Sequence, residues 1–262
     1  MIVLIDVSGF VYRAFYGLPS LTHNGTEVGA LYGFCSAMLK ITSIFSKAMF
    51  VAALDTGKRT FRNDIYPEYK ANRKSMPNEL LNQIPFIKEA CQSFGFVIAE
   101  SPGFEADDII ATYTKMTSDT HSVNIVSSDK DLLQLIGVNV SVYDPVKQRY
   151  ITEEDIVQKF GVTSDKILDV LALTGDASDN IPGISGIGFK TAAALINEYG
   201  SLDVLMSSLD KLPDNKRNET LKKETPSKLE EQKQSLEQEN ERLKKETPSK
   251  LEEQKQSLEQ EN

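Results

Sequence analysis

Three short apolar runs in this chain each lead into an aspartate, and that repetition restricts the fold more than any other feature. Ile2-Val-Leu-Ile runs into Asp6, Met49-Phe-Val-Ala-Ala-Leu into Asp55, and Val123-Asn-Ile-Val-Ser127 into Asp129. Short β-branched runs bounded by polar residues predict strands buried on both faces. Helix-like apolar spacing fills Ala30–Phe45 and Leu80–Phe94, two further strands are predicted at Phe96–Ala99 and Val140–Tyr143, and Thr152 reads as the N-cap of another helix. Such alternation up to about residue 160 predicts an α/β fold, a mostly parallel sheet with helices on both faces. Parallel strands share a direction, so the three aspartates gather at one edge, the carboxyl edge where open α/β sheets hold ligands. One such acid is ordinary turn chemistry, but three in the same relative position are not explained that way.

Further acids fall near that edge. In Gly103-Phe-Glu105-Ala-Asp107-Asp108, Glu105 and Asp108 are three apart and share a helix face, with Asp107 beside them near the helix start. Asp129 and Asp131 follow the third strand. Either cluster alone could merely cap a helix and favour its dipole. Together they suit hard cations. Only His23 and His121 are present, so a zinc site of the His/Cys kind is disfavoured and the oxygen ligands point to Mg2+ or Mn2+. An EF-hand does not fit, because Gln134 stands where that loop needs glycine.

The net charge of −9 argues against a nucleic-acid partner until its distribution is considered. If the nine acids nominated below form one metal-bound cluster, the rest of residues 1–220 holds 20 Lys/Arg against 18 acids. Residues 57–75 hold six basic residues against two acids, interleaved with Phe61, Tyr66 and Tyr69, a composition that attracts phosphates and offers rings for stacking. A solvated charged face is the bland reading of the same run. Cys35 and Cys91 lie in apolar contexts and are expected to be buried reduced thiols of a cytoplasmic protein. No apolar run reaches the length of a membrane span, and Met1–Ile5 lacks the basic flank and length of a secretion signal.

From Ser164 to Leu209 the pattern is helical, interrupted by Asn180-Ile-Pro-Gly183-Ile-Ser-Gly186-Ile-Gly188-Phe-Lys190. Phe189 breaks a P-loop, and no strand precedes to make a dinucleotide fingerprint. What remains is a tight glycine hairpin opening onto a helix N-terminus, where backbone N–H groups and Lys190 suit one backbone phosphate. The tail differs in kind: Leu221–Asn240 recurs unchanged as Leu243–Asn262, a period of 22. With one leucine per heptad it reads as marginal solvated helices or disorder rather than a coiled coil.

Taken in order, Asp6-Val-Ser-Gly-Phe-Val-Tyr-Arg13, Leu-Asp55, Phe-Arg62, Tyr69-Lys70-Ala-Asn-Arg73, Gly-Phe-Glu105-Ala-Asp107-Asp108, Ser-Asp129-Lys-Asp131, Thr-Gly-Asp176-Ala-Ser-Asp179 and Gly186-Ile-Gly188 resemble the 5′ nuclease domain, flap endonuclease-like, of bacterial DNA polymerase I. The resemblance covers about residues 1–220. It implies a PIN-like nuclease core at 1–163 with a helical arch at about 57–80, a helix-hairpin-helix (H3TH) DNA-binding module at 164–220, and an appended tail at 221–262. It implies Asp6, Asp55, Glu105, Asp107 and Asp108 as one metal cluster and Asp129, Asp131, Asp176 and Asp179 as a second, for two ions. Lys70, Arg73, Asp107 and Asp108 are the implied catalytic set. Arg13, Arg62, Tyr69, Lys70 and Arg73 are implied near the scissile phosphate or 5′ strand, with a base stacked on Tyr69. Gly183, Gly186, Gly188 and Lys190 match the hairpin, where a monovalent cation, K+, is also expected.

The implied activity is 5′-3′ exonuclease or flap endonuclease cleavage of DNA at 5′ ends, nicks or flaps. A monomer is expected, with a separate DNA polymerase as possible partner. Two departures stand out: Phe189 replaces a usually polar residue, and the duplicated tail stands where the family closes its fold. The competing reading is therefore an impaired, structure-specific DNA-binding protein. Its weakness is the intact carboxylate set, which binding alone does not require. A PIN-like ribonuclease is disfavoured because the glycine hairpin suits duplex backbone.

Overall fold

The computed structural model describes residues 1–57, 59–211 and 218–224. Most of the duplicated tail, with the short helices or disorder expected there, lies outside the described residues. In chain order the elements are β1 (Ile2–Asp6), α1 (Val7–Gly17), β2 (Thr22–His23), β3 (Thr26–Glu27), α2 (Gly29–Ile44), β4 (Met49–Ala53), α3 (Phe61–Ile65), α4 (Asn78–Leu81), α5 (Ile84–Ser93), β5 (Val97–Ala99) and α6 (Ala106–Thr117). Then come β6 (Val123–Val126), a 3-10 turn at Asp131–Leu135, β7 (Val140–Asp144), β8 (Arg149–Tyr150), α7 (Glu153–Phe160), α8 (Ile167–Thr174), β9 (Gly175–Asp176), β10 (Ile181–Pro182), α9 (Phe189–Tyr199) and α10 (Leu202–Ser207).

The main sheet has the order β5-β4-β1-β6-β7-β8, and every pair is parallel except the β7–β8 edge. All five residues of β1 are buried, as a central strand covered on both faces requires. Alternation divides them: Ile2 and Leu4 join one core with residues of α6–α10, while Val3 and Ile5 join another with α1, α2 and α5. The chain leaves β1 toward β4 on one side and leaves β6 toward β7 on the other. The crevice between the ends of β1 and β6 is thus a topological switch point, where ligands of such sheets bind.

The first core continues from the sheet into the C-terminal helices through Ile156, Leu173, Ile196 and Leu205. It also takes in Leu221, which is fully buried. The duplicated segment thus begins inside the core, because its first residue is a leucine that an apolar site accepts. Residues 218–224 are helical and pack back on the body. The single helix expected over Leu80–Phe94 is two, since Pro85 lies in the first turn of α5 and favours a fresh start there. Gln83 bridges the break, accepting from the Leu31 N–H and donating to the Glu79 carbonyl. Thr152 does cap α7, accepting from the Asp155 N–H. No helix among the described residues is long and apolar enough to cross a membrane.

The glycine hairpin owes its shape to sterics. Gly175 has φ +67°, and β9 and β10 pair so closely there that a Cβ on Gly183 would sit 2.1 Å from the Thr174 carbonyl oxygen. Backbone cannot yield cheaply at that distance. Gly183→Ala should therefore destabilise the protein by about 1–3 kcal/mol or more, read as a lowered midpoint in denaturant; an unchanged midpoint would show that the hairpin tolerates a side chain.

Candidate active site

Asp6 closes β1 and N-caps α1, accepting from the Gly9 N–H at 3.1 Å. Across the switch point it accepts from the Ser127 hydroxyl at 2.8 Å. It is only 8% exposed, and burial pushes its carboxyl above the usual range, with Asp129 and Asp55 adding repulsion. Asp55, just past β4, accepts from the Ser8 hydroxyl at 2.6 Å and from the Ala106 N–H that opens α6 at 2.8 Å. The end of β4 is thereby tied to both α1 and α6.

Asp107 lies in the first turn of α6 between these acids. Burial raises its carboxyl well above the ordinary value, and Asp6, Asp129 and Asp55 raise it further. No hydrogen bond to its carboxylate occurs among the described residues. Asp108, one residue on, is the opposite case. One of its oxygens accepts from the Glu105 N–H at 2.8 Å, and Arg62 grips both at 2.8 and 2.6 Å. Its oxygens are served here by protein donors.

The basic segment, expected as a helical arch, forms the short α3, a run of turns and α4, and it lies down against the acids. Lys70 holds Glu105 at 2.7 Å and Arg73 pairs with Asp179. Backbone bonds fix the docking: the Lys70 N–H donates to the Asp179 carbonyl at 2.8 Å, and the side chains of Asn72 and Asn180 bond carbonyls across the same seam. Lys70 adopts φ +55°, a conformation that a lysine takes only when its surroundings impose it. Tyr69, on which a base was expected to stack, lies among the acids. The residue is 6% exposed, and its hydroxyl lies 2.9 Å from Glu105 and 3.0 Å from Asp179. One phenolic proton serves those two carboxylates in turn, and burial beside them drives the hydroxyl pKa far up.

The second group follows β6. The Asp129 N–H donates to Ser127, and Asp129 accepts from the Asp131 N–H at 2.9 Å. Burial and the neighbouring Asp129 push the Asp131 carboxyl up to about 6, and its buried Oδ1 has no hydrogen-bond partner. Asp176 takes Lys130 at 2.8 Å and the N–H and hydroxyl of Ser178. Burial would raise Asp176, but these donors together hold it below its ordinary value. The sequence singled out Asp129 and Asp131 but passed over the lysine between them.

Among the described residues no three acidic, histidine or cysteine groups converge into a ready cage for an ion. The repulsion felt at Asp107 nonetheless shows that several carboxylates are near one another. Four other acids nearby, Glu105, Asp179, Asp176 and Asp108, are each held by a base: Lys70, Arg73, Lys130 and Arg62 respectively. An unpartnered Asp107, an orphaned Asp131 oxygen and an all-oxygen donor set fit a hard divalent cation.

In the hairpin, Gly186 has φ +80° and a Cβ on Gly188 would meet open space, so the approach to the start of α9 is unobstructed. Lys190 is exposed there. The hairpin also carries an acid, since Glu224 accepts from both the N–H and the hydroxyl of Ser185 at 3.2 Å. Arg13, exposed on α1, donates to the Ser128 hydroxyl beside Asp129.

A mostly parallel sheet that presents acids at its carboxyl edge, joined to a helical module with a glycine hairpin, defines an α/β protein whose site lies at the end of its strands. Residues 1–161 match the family description "5'-3' exonuclease, N-terminal resolvase-like domain", and residues 162–261 match "5'-3' exonuclease, C-terminal SAM fold". A 5'-3' exonuclease of Aquifex aeolicus is 41% identical over 79% of this chain and 73% of that protein. DNA polymerase I of Rhizobium leguminosarum is 45% identical over 83% of this chain, which spans only 22% of that relative's length. Among solved structures, the T5 D15 protein co-crystallised with metal ions shares the fold, with TM-score 0.71, 22% identity, and coverage of 88% of this chain and 86% of that one. The chain belongs to the 5'-3' exonuclease family.

The raised carboxyls give the metal-free protein a defined pH response. An acid whose folded pKa exceeds its unfolded one stabilises fully below the unfolded value, and that stability is lost as pH rises through the folded value. For Asp131 the window runs from 3.8 to about 6, and Asp6 and Asp107 act in the same direction. In chelator the protein should melt higher at pH 5 than at pH 7.5, and Asp131→Asn should flatten part of that slope. Equal melting temperatures would contradict the crowding.

Proposed function

We propose that the chain hydrolyses phosphodiester bonds in DNA at 5′ ends, nicks or flaps, with two divalent cations, Mg2+ or Mn2+, at the carboxyl edge of the sheet. The observation that carries this reading is Asp107, a carboxylate set among Asp6, Asp55 and Asp129 without a protein partner, in a chain of the 5'-3' exonuclease family. Asp6, Asp55, Asp107, Asp129 and Asp131 would hold the ions, and Glu105 and Asp179 would be available to them once Lys70 and Arg73 turn to the substrate. A bound divalent ion supplies a water of lowered pKa and offsets charge on the reacting phosphate.

The chain's own residues do the rest. Lys70 and Arg73 leave their carboxylates to hold the nonbridging oxygens of the scissile phosphate, where negative charge builds in the transition state. Asp108 keeps Arg62 beside them, and Tyr69 keeps Glu105 and Asp179 together. Arg13 meets the strand near Ser128. The open backbone at Gly186 and Gly188, with Lys190, holds a duplex phosphate at the start of α9, K+ assisting, while Gly183 shapes the turn. We take residues 1–163 as the nuclease body and the following helices as the duplex grip of a cytoplasmic monomer, which works with a DNA polymerase.

A 5′-labelled flap duplex incubated with the purified protein tests this directly. Short labelled products should form with Mg2+ and not with chelator. Asp107→Asn should lower kcat/KM by at least about a hundredfold, beyond what the loss of a merely supporting partner costs. Lys70→Ala should lower kcat by roughly 10²–10³ with a smaller change in KM. Folded protein that shifts the duplex without cutting it in Mg2+ would overturn the nuclease reading in favour of binding alone.

A further inference from the structure

Lys130 occupies a position that phosphate-binding roles leave unused. It sits between Asp129 and Asp131 on the loop after β6, and its Nζ reaches 2.8 Å from Asp176 at the start of the hairpin and 4.0 Å from Asp131. Among the described residues no other basic side chain lies within ion-pair distance of Asp131 or Asp176. The Asp131 oxygen facing it is buried and accepts no hydrogen bond. The loop backbone is pinned on both sides, by Ser127 to the Asp129 N–H and by the Leu133 N–H to the Lys130 carbonyl at 3.2 Å. Lys130 is therefore a fixed charge, half-enclosed by acids from two parts of the fold.

We infer that Lys130 is a built-in cation for the Asp129, Asp131 and Asp176 group, its ammonium standing where a second divalent ion would otherwise supply the counter-charge. This rests on the metal-dependent reading above. The first cluster differs from it: Lys70 neutralises Glu105, but Asp107 is left without a partner, so a divalent ion has an open carboxylate to bind. At the second group an entering ion must first displace an ammonium. In the absence of DNA the protein accordingly binds one divalent ion tightly and a second only weakly, and the weakness is set by Lys130.

Calorimetric titration of the full chain with Mn2+, without DNA, tests the inference. The unaltered protein should show one tight and one weak site. Lys130→Met should tighten the weak site by about tenfold or more, because one repelling unit charge is removed at close range. Lys130→Arg, which keeps the charge, should leave it within about threefold of the unaltered protein. A weak site that is unchanged or weaker in Lys130→Met overturns the inference while leaving the metal-dependent reading intact; no Mn2+ binding at all by the unaltered protein overturns both. Should Lys130→Met fail to fold, the ε-ammonium resonance of Lys130 in the unaltered protein decides. It should persist through the first equivalent of Mg2+ and shift only as the second site fills, and a shift complete at the first equivalent refutes the proposal.

Discussion

Repulsion between carboxylates gathered at one edge of a parallel sheet governs this structure. Two unit charges 4 Å apart oppose one another by about 4 kcal/mol at an effective dielectric of 20, so the edge cannot be left without counter-charge. The fold supplies some from within. Arg62, Lys70, Arg73 and Lys130 each hold an acid that belongs to another part of the chain. What they leave unbalanced, Asp107 above all, is the charge that a bound divalent ion would neutralise.

The same ion pairs organise the architecture. Lys70 and Arg73 bring the basic turns down onto the loop between β9 and β10, Lys130 joins the end of β6 to β9, and Tyr69 spans Glu105 and Asp179. The hairpin module is thus fastened to the sheet twice, by an apolar core shared with α8 and α9 and by charges at the carboxyl edge. On the proposed function, a phosphate entering the edge would compete for Lys70 and Arg73, so binding it and loosening that seam would be one event. Fastening through exchangeable ion pairs lets a site built of repelling groups stay folded without its ligand.

The sheet was legible because its signal is local: buried β-branched runs and the acid after each are read within a few residues. The gathering of Asp6, Asp55 and Asp129 followed from parallel strands sharing one edge, whereas Asp107 was read only as an acid near a helix start. Partner choice was not legible. Arg62 meets Asp108 and Lys70 meets Glu105 across long separations in sequence, and nothing local says which base takes which acid. Tyr69 carried the same ambiguity, because an aromatic in a basic run can face a ligand or turn inward, and here two carboxylates draw its hydroxyl in. Lys130 was hidden as a residue between two conspicuous ones. Leu221 was read with its repeat, although a leucine is accepted by any apolar site within reach.

Melting of the full chain at pH 7.5, in chelator and then in Mg2+, bears most directly on the carboxylate edge as a cation site. Acids that lack enough internal counter-charge must raise the melting temperature when divalent ions bind the native state and not the unfolded one, and the rise must grow with Mg2+ concentration. A melting curve identical in Mg2+ and in chelator would mean that the internal bases already balance the edge, and that no divalent ion is held there.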